Sequence, residues 1–386
     1  MLTATSNWCG SSLSSLSRSR IVPLSDLPNL FLCENGQETT SPNSISLISL
    51  LGTGILLNIG RKTFKRMTGY IQGDMIMKRC ILICLMVFTG LCLSNSAALA
   101  GFYVISVPQG VGTEITSIPY TISDPGYYYL GKNLHMADDS GDAISIEADD
   151  VTVDFNGFVL SGPGKDSGVS FGISFGNRSG IVIRNGTIKN FGWNGISQQG
   201  LLGNSCKFLG MNVNNNGNTG IKLEGQIHSI IECTLHSNKR DGANIGIRSR
   251  VESSVMHNNG RHGVAALEGC EIIDNMAYTN EDDAVVTTEN PNVVGNTVQD
   301  NGGDGLQLGV GAFVSDNCVK GNGQGGIIAS GGNIIGNISM RNAGYGIVAG
   351  YNGYVDQNVA FENDTDGSGE TNIFCRDGCT LGENDT

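Results

Sequence analysis

Residues 280–308 read NEDDAVVTTENPNVVGNTVQDNGGDGLQL. Asn280 and Asn301 stand 21 residues apart, and each is followed four residues later by a small residue, Ala284 and Gly305. An alternating pair comes next in both cases, Val285/Thr287 and Leu306/Leu308. Alternation over three positions makes a short strand with one buried face. A unit of this length cannot bury that face alone. It must stack on copies of itself.

The copies are present on both sides. Asn216, Asn238, Asn259, Asn280, Asn301, Asn322, Asn342 and Asn363 are separated by 22, 21, 21, 21, 21, 20 and 21 residues. The small residues that follow are Gly220, Gly242, Gly263, Ala284, Gly305, Gly326, Gly346 and Gly367. A second column, five residues before the first, holds Asn275, Asn296, Asn317, Asn337 and Asn358, with Met211, Cys233 and Ser254 in the earlier units. Stacking at about 4.8 Å per turn pairs every strand with its neighbours and builds one continuous core. It also lets asparagine side chains hydrogen-bond in ladders along the axis. A leucine-rich repeat has a similar period, but its leucine pattern is missing, and a propeller blade needs about 40 residues. The expected fold is all-β, a single-stranded right-handed parallel β-helix.

Outward from the repeat the chain divides. Residues 141–370 are expected to form the β-helix. Residues 101–140, with Pro119 and the run Tyr127 to Tyr129, are expected to cap its N-terminal end. Residues 371–386 form a C-terminal tail. Residues 77–100 read MKRCILICLMVFTGLCLSNSAALA, with a basic start, an apolar run from Cys80 to Leu93, and Ala98-Leu99-Ala100 before Gly101. That is the layout of a secretory signal peptide, too short for a membrane span. The mature protein is then secreted or periplasmic, with no stable membrane span after processing. Residues 1–76, Ser-rich and with an apolar run from Ile45 to Ile59, are excluded from the fold as a non-native upstream extension or a disordered tail.

Composition agrees with many tight turns: Gly contributes 56 of 386 residues and charged residues only 15%. Beyond residue 100 there are 15 basic and 32 acidic residues. So acidic a body argues against nucleic acid as a partner, since phosphate binding needs a basic face. It suits a polysaccharide or cell-surface glycan, provided that an acidic one meets a local basic patch. Cys206, Cys233, Cys270 and Cys318 occupy different places in their units and read as small buried residues. Cys375 and Cys379 are close enough for a disulfide, which export permits. Oligomeric state is not written in the pattern.

The stretch GDAISIEADDVTVDFNGFVLSGPG (141–164), followed by RNGTIKNFGWNGI (184–196) and then the Asn-x-x-x-Gly-Ile units, resembles right-handed β-helix repeat proteins of the pectin-lyase-like superfamily. The resemblance covers about 101–370. It implies a fold shared by polysaccharide lyases, glycoside hydrolases, epimerases, tailspikes and adhesins, and it leaves the activity open.

Stacking turns sequence columns into spatial neighbours. The position before each small residue reads Thr219, Asp241, His262, Asp283, Asp304, Gly325, Tyr345 and Asp366. The position before that reads Asn218, Arg240, Arg261, Asp282, Gly303, Gln324, Gly344 and Thr365. Asp241, His262, Asp282, Asp283 and Asp304 are therefore the candidate catalytic residues, expected on one exposed face. Arg240 and Arg261 are the candidate substrate-binding residues. Carboxylates about 5–10 Å apart can cleave a glycosidic bond, and like charges so close raise one pKa. The arginines could instead neutralise a uronate while its α-proton is removed. Glu281-Asp282-Asp283-Ala284-Val285 looks like the double-Asp strand start of polygalacturonases, and Arg240-Asp241-Gly242 and Arg261-His262-Gly263 are similar to their Asp-Gly and His-Gly turns. The His turn precedes the double Asp here, however, and the Arg-x-Lys motif is absent. The resemblance thus points to a groove rather than to that activity. Asp before Gly is also ordinary turn chemistry, so a non-catalytic surface or adhesive scaffold stands beside the polysaccharide reading. No cofactor and no dedicated metal site is assigned, although the carboxylates of 281–283 and 304 could hold Ca²⁺ through oxygen. Trp193 could stack on a sugar or be buried.

Overall fold

The computed structural model describes residues 112–369 and 371–386, together with a short antiparallel pair, Ser44–Ser46 against Asn58–Gly60. The rest of the upstream segment, the expected leader at 77–100 and the start of the expected cap lie outside the described residues. From Thr113 onward the chain is a right-handed parallel β-helix with three strands per turn.

The first face is a sheet of 12 parallel strands, one per turn, from Tyr120–Ile122 through Val285–Thr287 to Ile373–Cys375. The second face carries strands such as Arg250–Glu252, Glu271–Ile273 and Asn292–Val294. The third carries Val255–His257, Met276–Tyr278 and Thr297–Gln299. The register is in phase with the 21-residue period: Val264 pairs with Val285, Ile272 with Val293, and Ala277 with Val298. First-face strands bury their outer two residues, and strands of the other faces bury the middle one. The core is therefore a set of apolar columns, such as Val251, Ile272, Val293, Val314, Ile334 and Val355, all fully buried. Ser339 interrupts one column. Its hydroxyl donates to Gly346 O at 2.7 Å and accepts from Asn342 Nδ2 at 3.1 Å, so the polar group is matched where it is buried.

Both asparagine columns are buried ladders. After the first asparagine of each column, every Oδ1 accepts the backbone N–H and the Nδ2 of the asparagine one turn earlier, as Asn317 does for Asn296 at 2.9 Å in both bonds. The residue before a ladder position adopts a left-handed conformation, even when it is β-branched, as at Thr279 with φ 52°. That residue turns the corner from one face to the next.

Both ends differ from expectation. Thr113–Ile115 and Gly126–Leu130 pair in parallel with each other, and Gly126–Leu130 pairs with Val151–Asp154, so from Thr113 the stretch assigned to a cap is already solenoid. The stretch assigned to a tail is a further turn. Ile373–Cys375 pairs with Ile347–Ala349, and Thr380–Leu381 with Tyr354–Asp356. Asn363 is met by Asn372 rather than by a residue one period on, so an insertion separates Asn363 from the strand Ile373–Cys375 and Gly367 opens no strand. Cys375 and Cys379 are joined by a disulfide in this last turn. Among the described residues no helix is long and apolar enough to cross a membrane.

One buried titratable group makes the fold acid-sensitive. His228 is 1% exposed, and its Nδ1 accepts the backbone N–H of Cys206 at 3.2 Å. A proton on Nδ1 would end that bond and charge a buried ring. Burial lowers its pKa from 6.5 to about 4. The unfolded chain then binds the extra proton between these values. Stability is whole above pH 6.5 and falls by about 3 kcal/mol as the pH drops towards 4. Urea unfolding of the protein and of His228→Gln across that range should show a shallower dependence in the variant. Parallel curves would contradict this account.

Candidate functional site

The site lies at the corner that leads into the first face, where two residues per turn precede each strand by two and three positions. The backbone stacks here as the period requires. Arg240 N–H donates to Asn218 O, Arg261 N–H to Arg240 O, Asp282 N–H to Arg261 O and Gly303 N–H to Asp282 O, all at 3.1–3.2 Å. The next column is carried likewise, with Gly242 N–H on His262 O, Gly263 N–H on Asp283 O and Ala284 N–H on Asp304 O. The candidate residues are therefore neighbours in adjacent turns.

Their side chains do not share one exposed face, contrary to expectation. Asp241 is 1% exposed and His262 4%. Three aspartates serve the stack itself. Asp241 Oδ1 accepts the N–H of His262 at 3.4 Å, Asp283 Oδ1 that of Asp304 at 2.7 Å, and Asp304 Oδ1 that of Gly325 at 2.7 Å. The column lies next to the strand start, where the N–H of the following turn needs an acceptor, and the short carboxylate supplies it.

What remains available is smaller and better defined. Asp283 Oδ2 and Asp282 Oδ2 lie 3.6 and 3.7 Å from His262 Nδ1. Arg261 Nε is 4.0 Å from Asp282 Oδ2. Burial holds the Asp283 pKa above the ordinary carboxylate value, with the Asp282 charge acting the same way. The Asp304 N–H and the positive Arg261 oppose the rise. Arg240 and Arg261 are exposed in adjacent turns, and Arg240 forms no ion pair with any described residue.

Aromatic rings flank this group along the same corner. Trp193, 42% exposed, bonds through its carbonyl to Asn218 N–H, one turn before Arg240. On the other side a shallow depression is lined by Asp304, Gln324, Tyr345, Asp366, Phe374 and Arg376. The Tyr345 and Phe374 rings lie 5.5 Å apart, and Phe374 is 41% exposed. Tyr345 is visible in the sequence column. Phe374 and Arg376 are not, because the insertion takes them out of the period.

Residues 200–337 match the family model described as a right-handed β-helix region. Comparison with curated proteins gave no match. Solved structures similar to this chain include the A-module of the mannuronan C-5 epimerase AlgE4 of Azotobacter vinelandii, at 14% identity and TM-score 0.49, covering 67% of this chain and 91% of that one. Pectate lyase Pel9A is 15% identical with TM-score 0.48, covering 68% and 72%. The catalytic domain of a GH87 α-1,3-glucanase in complex with nigerose is 10% identical with TM-score 0.47, covering 71% and 63%. At these identities no activity carries over from them to this chain.

Proposed function

We propose that this chain, a right-handed parallel β-helix protein of the pectin-lyase-like kind, is exported and binds or processes an acidic polysaccharide along the corner that leads into its first face. One observation carries the reading. In a chain of net charge −13, two adjacent turns expose Arg240 and Arg261. They sit beside Asp282 and Asp283 and between aromatic rings at Trp193 and at Tyr345/Phe374. Guanidinium groups pair with carboxylates, so uronate units fit the middle. Exposed rings suit the apolar faces of sugars on either side. Asp283, held above the usual carboxylate range, is the group suited to exchange a proton with the bound sugar. The Cys375–Cys379 disulfide agrees with an oxidising compartment.

The capping bonds of Asp241, Asp283 and Asp304 favour the second reading, a non-catalytic scaffold that uses the β-helix as a stiff spacer. Binding of the full chain to a panel of uronic-acid and neutral polysaccharides separates the two. Uronans should bind and neutral glucans should not. Arg240→Ala and Arg261→Ala should each weaken binding about tenfold, roughly 1.4 kcal/mol, and reduce its salt dependence. A panel with no binder, or uronan binding equal in both variants and the parent, would leave the scaffold as the function.

A further inference from the structure

One atom of the corner has no role in the stack. His262 Nδ1 is buried and has no hydrogen-bond partner. A buried ring nitrogen left unmatched costs stability, and such atoms are uncommon unless something supplies the match. The histidine is 4% exposed, so the ring cannot turn freely to water.

The ring nitrogen aims between two carboxylate oxygens, Asp283 Oδ2 at 3.6 Å and Asp282 Oδ2 at 3.7 Å. Neither distance is a hydrogen bond. The first falls at the upper end of the spacing of atoms that share an ion, and the second is 0.1 Å beyond it. Ligands about 2.0–2.2 Å from a tetrahedral centre lie about 3.3–3.6 Å from one another. All three ligand atoms fall within 4.8 Å of each other.

The surroundings hold the set in place. The other oxygen of Asp283 is fixed by the Asp304 N–H at 2.7 Å, which leaves Oδ2 turned to the histidine. Arg261 Nε stands 4.0 Å from Asp282 Oδ2. The Asp304 N–H on the far oxygen of Asp283 is a contact of the kind that orients a ligand for an ion, whereas Arg261 meets Asp282 on the ligating oxygen itself and competes there with a cation. The Asp282 side chain is 44% exposed, so an ion can enter from solvent and keep water on its open side.

We propose that His262 Nδ1, Asp282 Oδ2 and Asp283 Oδ2 form a binding site for a divalent transition metal, with the remaining coordination open to solvent. One imidazole with two carboxylates suits Zn²⁺, Co²⁺ or Mn²⁺. Ca²⁺ takes six to eight oxygen ligands and gains nothing from a ring nitrogen. The site therefore differs in chemistry from the all-oxygen Ca²⁺ site that the carboxylates of 281–283 and 304 suggest by themselves. The inference does not depend on the glycan reading, because the ion alone is the probe; an ion on Asp283 would hold that carboxylate ionised, in place of the proton exchange proposed above.

The test is calorimetric titration of the full chain, first stripped with a chelator, with Zn²⁺ and separately with Ca²⁺. Co²⁺ absorption reports the coordination number. One Zn²⁺ per chain is expected, with Ca²⁺ at least a hundredfold weaker and Co²⁺ in a four- or five-coordinate spectrum. Asp282→Asn should weaken Zn²⁺ at least tenfold. Asp282 is half-exposed and makes no capping bond, so this variant should fold; circular dichroism matching the parent establishes that. His262→Gln should abolish the Co²⁺ spectrum. The parallel rings of His236 and His257, 4.7 Å apart on the third face, are the control. Zn²⁺ binding that survives Asp282→Asn but is lost in His257→Gln would overturn the assignment. Absence of Zn²⁺ binding, or equal affinity for Ca²⁺, would overturn it as well.

Discussion

Asn301→Ala should lower the stability of the protein by about 4 kcal/mol. The side chain is 2% exposed and takes part in five bonds. The two hydrogens of its Nδ2 are shared among Asn322 Oδ1, Ala277 O and Gln299 O at 3.0–3.2 Å, one of them bifurcated. Its Oδ1 accepts Asn280 N–H at 3.0 Å and Asn280 Nδ2 at 2.9 Å. Alanine removes all five and leaves their partners buried. A net bond contributes about 1 kcal/mol and an orphaned buried group costs about 1–3 kcal/mol. Gln324, exposed at the corner of the next turn, supplies the contrast; Gln324→Ala should cost about 0.5 kcal/mol or less. Urea unfolding followed by circular dichroism measures both. Equal midpoint shifts would show that the ladder adds nothing beyond surface contacts.

Gly309→Ala should cost more, about 5 kcal/mol, and reduce the yield of folded protein. Gly309 follows the strand Leu306–Leu308. A Cβ there would fall on the carbonyl oxygen and carbon of Thr288 in the preceding turn, far inside the 3.0 Å that real contacts respect. Those atoms are backbone in a stacked turn, so they cannot yield without breaking the register of both turns. Gly157 separates this effect from backbone strain. It has φ +83° and no atom within 4 Å of the place a Cβ would take, so Gly157→Ala meets only the conformational penalty, about 1 kcal/mol. Thermal unfolding of the two variants should differ widely. Similar losses would mean that close approach at Gly309 is relieved by relaxation.

The interior of the solenoid was legible because its constraints recur. Asn280 and Asn301 bond to each other, so both must return at the same phase, and Val285 and Leu306 return with them. The ends were illegible for the converse reason. At the C-terminus Asn363 bonds to Asn372, nine residues on, and a counting argument misses the strand Ile373–Cys375 beyond. At the N-terminus Gly126–Leu130 pairs without any asparagine to announce it. The site was legible as a set of neighbours and not as a surface. Sequence columns placed Arg261, His262, Asp282 and Asp283 together. Whether a side chain at the corner turns outward depends on which N–H of the next turn needs an acceptor, and that depends on three-dimensional detail. Asp241 turns inward for this reason, while Asp282, one position earlier in its turn, remains half-exposed.

The ladders also have a direction. Asn280 donates to Asn301, Asn301 to Asn322, and Asn322 to Asn342, always from the earlier turn to the later. Each turn thus presents the same pair of donors upward and the same acceptor downward, whatever its loops contain. A turn is a part with standard fittings. Whole turns can be gained or lost by duplication or deletion between equivalent asparagines, with the seam healing itself, so the length of such a molecule is free to vary in evolution while its corner chemistry is altered one turn at a time.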